Sequence, residues 1–114
     1  MNTDQVAKMV PAIQEALAGR PDLCATLQIA GKPDSWVQFT DGMVNAAYPF
    51  SESPDSLLSQ LGGGTLEGWE AQTYLTVQME SADAHAIASW IDRYFQKALA
   101  AGAGYAIDVS VEPL

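Results

Sequence analysis

The sequence predicts a single α+β domain over residues 1–114, a largely antiparallel five-stranded sheet with helices packed on one face, in the order α-β-β-β-α-β-α-β. Three observations carry this. Apolar residues recur at helical spacing near both ends of the chain. The pair Asp41-Gly42 separates two alternating segments, a strong hairpin signal. A further alternating run, Glu70 to Glu80, precedes the longest helical pattern. A chain of 114 residues has room for one core and buries enough surface to fold without disulfide or metal.

The first helix is expected from about Asp4 to Ala18, with Val6, Met9, Val10, Ile13, Ala16 and Leu17 on its apolar face. Thr3 is placed to cap it, and Gly19 and Pro21 to stop it. Pro11 removes a backbone donor and disfavours helix at Val10, so a kink or a later start is expected there. Leu23 to Ala30 alternates as a strand, Gly31-Lys32-Pro33-Asp34 forms a turn, and Ser35–Thr40 and Met43–Tyr48 are the two arms of the hairpin. A two-residue turn at Asp41-Gly42 pairs Thr40 with Met43, Phe39 with Val44, Gln38 with Asn45, Val37 with Ala46 and Trp36 with Ala47.

Ser53-Pro54-Asp55 reads as a helix start, with that short helix ending at Leu61 before Gly62-Gly63-Gly64. The glycine run follows a helix and leads into a strand, the reverse of a phosphate-cradling loop, and is expected to be a cap and flexible loop. Thr65 to Trp69 reads as a candidate short lead-in strand before the alternating strand Glu70–Glu80, and is not counted among the five. Ser81 is placed to cap a helix from about Ala82 to Ala101, stopped by Gly102, with Ile87, Ile91, Tyr94 and Phe95 in its buried stripe. Tyr105, Ile107, Val109 and Val111 mark the last strand, up to Pro113.

Charge narrows the partner. Fourteen acids against five bases give −9, an excess that comes from missing bases. A phosphate backbone or an anionic membrane needs a basic footprint, so neither is expected as a partner. No two acids are adjacent, which disfavours a mimic of nucleic acid. Apolar stretches are too short to span a bilayer. The first residues lack the pattern of a signal peptide and Cys24 is alone, so a reducing cytoplasm is the expected compartment.

The catalytic inventory is sparse: one His and one Cys. His85 falls in the first turn of the long helix, with Ser89, Asp92 and Gln96 on the same polar flank; a solvated helix face is the simpler reading than a base–acid pair. Cys24 has no His or basic neighbour in sequence and reads as a small sheet residue. No spacing suits a metal, and neither cofactor nor catalytic residue is expected. A ligand carrier would instead need an apolar cavity between sheet and helices.

More informative is the sheet face turned away from the helices: Thr26, Gln28, Trp36, Gln38, Thr40, Met43, Asn45, Gln72, Tyr74, Thr76 and Gln78. It carries no charge; Asp108 and Glu112 in the last strand are the exceptions. Solvent faces of sheets usually carry charged residues. Depletion of charge with enrichment of aromatics marks interaction surfaces. Candidate partner-binding residues are therefore Gln28, Trp36, Gln38, Asn45, Tyr74 and Gln78. Trp90 joins them from the edge of the long helix's buried stripe.

Trp36-Val37-Gln38-Phe39, Asn45-Ala46-Ala47-Tyr48, Leu57 to Leu61 before Gly62, and the long helix with Trp90 and Phe95 resemble segments of the type III secretion chaperone-like superfamily, in its YbjN-type branch. The opening order of helix, three strands and short helix is similar, as is the acidic composition. The ending departs from the secretion chaperones, since here a long helix precedes the last strand. The resemblance implies a non-enzymatic, chaperone-like or regulatory module that binds another protein or peptide, as a homodimer. The charge supports an alternative: an acidic inhibitor or immunity-type protein capping a basic site on its target.

Overall fold

A computed structural model describes residues 3–18, 23–101 and 105–113. In chain order the elements are α1 (Thr3–Ala18), β1 (Leu23–Ile29), β2 (Trp36–Thr40), β3 (Met43–Ala47), α2 (Asp55–Leu61), β4 (Gly64–Glu70), β5 (Tyr74–Met79), α3 (Ala84–Ala98) and β6 (Ile107–Pro113). The strands form one antiparallel sheet in the order β4-β5-β3-β2-β1-β6.

The fold class is as expected, but the sheet has six strands, not five. The added strand is β4. The segment Glu70-Ala71-Gln72-Thr73 is a turn, closed by the Thr73 amide donating to the Glu70 carbonyl at 3.1 Å, with Gln72 at φ +57°. None of these residues is a Gly, Pro, Asn or Asp, so alternation runs through the turn in sequence and conceals it. After β3 the chain crosses through α2 to the far edge, forms the β4–β5 hairpin and returns β5 to the side of β3. It then crosses through α3 to the opposite edge as β6.

The β2–β3 hairpin has the expected register from Thr40↔Met43 to Val37↔Ala46. Asp41 and Gly42 both have positive φ, +50° and +77°, as a mirror-image two-residue turn requires. The helix α1 runs unbroken through Pro11. Pro11 and Ala7 are both exposed, so the carbonyl that the proline leaves unpaired faces water, where its cost is small. The expected stop at Gly19 and Pro21 lies outside the described residues, as does Gly102.

Two caps differ from expectation. The N-cap of α3 is Asp83, whose Oδ2 accepts from the Ala86 amide at 2.9 Å; Ser81 instead accepts from the Asp83 amide at 3.0 Å. The helix ends at Ala98, because Ala100 takes a left-handed φ of +55° and the Ala101 amide turns back to the Phe95 carbonyl. In α2 the cap position is Pro54, and Ser53 Oγ accepts from the Asp55 amide at 3.3 Å. Gly62 closes α2 by donating to the Leu58 carbonyl at 2.8 Å. Gly64, expected in a loop, is the first residue of β4; a Cβ there would collide with Val77 Cγ1.

The core lies between one sheet face and the helices. Val6, Met9 and Ile13 of α1 and Ile87, Trp90, Ile91, Tyr94 and Phe95 of α3 bury against Leu27, Val37, Phe39, Val44, Leu75 and Val77. Burial alternates along β2 and through Ala46 of β3: Val37, Phe39, Val44 and Ala46 are buried, and Trp36, Gln38, Thr40, Met43 and Asn45 are half-exposed on the other side. Among the described residues, no helix packs on that other side.

Candidate functional site

Strand register assembles the outer face residue by residue. One complete row crosses all six strands: Gly68, Thr76, Asn45, Gln38, Thr26 and Ser110. It contains no charge. On β5 and β3, Thr76 donates to Asn45 Oδ1 at 2.6 Å, which fixes the amide at the middle of the sheet. A second row carries Glu70, Tyr74 and Ala47 at one end and Trp36, Gln28 and Asp108 at the other. A third carries Thr65, Gln78, Met43 and Thr40, then Cys24 and Glu112.

The charges of the sheet follow a pattern that only strand order reveals. Among the described residues no strand contains a Lys or Arg. The charged strand residues are Glu67 and Glu70 on β4 and Asp108 and Glu112 on β6, the two edges. The four central strands are uncharged. Five strand spacings separate the acidic margins, about 24 Å. Among the described residues the cations are Lys8 on α1, Arg93 and Lys97 on α3, and Lys32 in the turn after β1.

Six of the seven candidate residues share this face. Tyr74 (37% exposed) and Gln78 are the open ones; Gln28, Trp36, Gln38 and Asn45 are half-buried. The seventh, Trp90, does not belong to it. Trp90 is 1% exposed, stacks on Tyr94 at 5.5 Å and donates its Nε1–H to the Gly62 carbonyl at 2.8 Å. Its indole pins the end of α2 to α3, and no partner can reach it. Gln72 also leaves the face, being in the β4–β5 turn.

His85 and Asp92 are not brought together. Seven helical residues separate them by about 10.5 Å along α3. His85 is exposed, whereas Asp92 is 4% exposed, with Oδ1 accepting from the Tyr105 hydroxyl at 2.8 Å and Oδ2 from Gln96 at 3.0 Å. The polar flank expected to be solvated is therefore split, because Tyr105 folds back over α3. Burial and the neighbouring Asp92 carboxylate push the Tyr105 hydroxyl well above its usual range; burial does the same to Tyr94, whose hydroxyl donates to the Ala47 carbonyl at 2.6 Å. Cys24 sits in the outer-face register opposite Glu112 yet is 7% exposed. Among the described residues no group of three or more His, Cys, Asp or Glu could hold a metal ion. No described helix is long and apolar enough to cross a membrane.

A feature that sequence reading missed lies at the end of the sheet where β2 begins and β3 ends. A hollow of about 280 Å³ is lined by Asp34, Trp36, Tyr48, Pro49, Gln72 and Thr73, among others. Its residues come from four separate segments, residues 34–36, 47–49 and 72–73 and Leu99 at the end of α3, so no local motif announces it. Beside it, Tyr48 makes edge contacts with Phe50 and Trp69 at 5.5 and 6.0 Å. Comparison with known proteins finds no matching family model, no matching curated protein and no matching solved structure.

Proposed function

We propose that this chain is a non-enzymatic protein-binding module, chaperone-like or regulatory, that takes a protein partner on its outer sheet face. The observation that supports the reading is the uncharged field of amides, hydroxyls, Trp36 and Tyr74 on four central strands, framed by acidic edge strands. Dehydrating neutral polar groups costs far less than dehydrating charges, and Trp and Tyr supply contact area at low entropic cost. The resemblance to secretion chaperones points the same way.

The acidic margins bear on which protein binds. A second copy stacked face to face about an in-plane two-fold axis that runs along or across the strands sets each acidic edge over another acidic edge. A partner with basic margins gains where a second copy loses. We therefore favour a heterologous, basic partner over the homodimer that the resemblance implies. The acidic inhibitor reading rests on the net charge of −9 and has the chain cap a basic site on its target.

A photocrosslinking amino acid at Gln38 tests the reading in cells. A single heavier adduct is expected, lost in the Trp36→Ala/Tyr74→Ala variant and weakened by raised salt during reconstitution with the purified partner. Adducts that survive the double variant would remove this face from consideration. A chain-plus-chain adduct would restore the homodimer.

A further inference from the structure

Resting on the outer-face reading, we infer that the hollow beside Trp36 is the anchor pocket of that face, and that it receives a lysine or arginine side chain of the partner. Interfaces concentrate binding energy where one side chain fills a desolvated pocket near rigid aromatics. At about 280 Å³ the hollow lies just below the range of about 300–1,000 Å³ that takes a drug-sized ligand, so it suits one side chain.

Its chemistry selects a cation. Half-buried Trp36 is the indole in the wall against which an aliphatic stem or a cationic head can lie, while Tyr48 behind it is 2% exposed. Among the described residues Asp34 is the one carboxylate that lines the hollow, and no Lys or Arg lines it. A second carboxylate is near: the hydroxyl of Thr73, also in the wall, lies 3.5 Å from Glu70 Oε1. Lys32 stands two residues before Asp34 in the same turn without lining the hollow. An apolar side chain here would bury Asp34 without a counter-charge, whereas a guanidinium or ammonium group gives it one. The hollow adjoins the outer face through Trp36 and Ala47, so one partner segment can occupy both.

Selection from a random 16-residue peptide library displayed on phage tests this on the full chain. Enriched peptides should share one fixed Lys or Arg among neutral residues. Replacing that residue by Gln, or making Asp34→Asn in the protein, should each weaken binding about tenfold by fluorescence anisotropy, the worth of one charge-assisted hydrogen bond. The two changes combined should cost little more than either alone. Tyr74→Ala should weaken binding without altering the preference for the basic residue. Peptides that depend on Trp36 and Tyr74 but carry no fixed basic residue would overturn the pocket assignment and leave the face standing. Peptides indifferent to Trp36 and Tyr74, or no enrichment at all, would overturn both. Unchanged circular dichroism and urea midpoint in Asp34→Asn, an exposed turn position, separate lost binding from lost folding.

Discussion

Thr76 donates its hydroxyl to Asn45 Oδ1 at 2.6 Å, directly across the β3–β5 pair in the middle of the uncovered sheet face. The bond fixes which way the Asn45 amide points and leaves its NH₂ group available to a partner. Thr76→Val keeps the β-branched shape and removes the donor. The expected loss of stability is about 1 kcal/mol in urea unfolding, the usual net worth of such a bond. Because the amide is then free to turn, binding of any ligand of this face should weaken while the far-ultraviolet circular dichroism spectrum stays unchanged.

The buried carboxylate of Asp92 holds the segment entering β6 against α3 through Tyr105, while Gln5 of α1 donates to the Tyr105 backbone carbonyl. Three elements meet at one tyrosine. Asp92→Ala would leave the Tyr105 hydroxyl and the Gln96 amide without this acceptor, at an expected cost of about 2–3 kcal/mol. Tyr105→Phe removes only the donor and should cost about 1–2 kcal/mol. The double variant should cost less than the sum of the two, which a double-mutant cycle in urea measures.

Alkaline pH should unfold the protein through its buried tyrosines. Tyr94 and Tyr105 are held neutral in the fold, with pKa values raised from 10.0, mainly by burial. Above pH 10 the unfolded chain releases these protons and the native state keeps them, so the native state binds more protons and stability falls as pH rises. Below the unfolded value their contribution is fully present. Urea midpoints should be flat for these groups between pH 7 and 9 and decline above 10, with a shallower decline in Tyr94→Phe and Tyr105→Phe. An undiminished slope in both variants would assign the alkaline loss to other groups.

Gly64 marks where the β4 backbone passes close over Val77. Gly64→Ala should destabilise by about 1–3 kcal/mol through overpacking. Gly68 has open space at its Cβ position, so Gly68→Ala serves as the control and should stay within about 0.5 kcal/mol. Pairing Gly64→Ala with Val77→Ala should recover part of the loss, since the methyl group then has room.

Local chemistry is legible in a single sequence, and the β2–β3 hairpin shows how far that reaches. Asp41-Gly42 admits one turn type, the turn sets the register, and the apolar alternation agrees with it, so local sequence is enough to pair Gln38 with Asn45 on the outer face. The same reasoning hides β4, because Glu70 to Thr73 turns on a left-handed Gln72 that no propensity announces.

Periodicity tells which side of an element is apolar, but not which element lies beside it. Trp90 looks like an edge residue on its own helix and becomes core only when the end of α2 supplies the Gly62 carbonyl. Asp92 looks solvated until Tyr105, thirteen residues on, folds over it. The neutral composition of the central strands was determined by the sequence alone. That Glu70 and Asp108 stand on opposite edges, and that Asp34, Trp36 and Thr73 line one hollow, was decided by strand order, since contacts between distant segments follow from how the whole core packs.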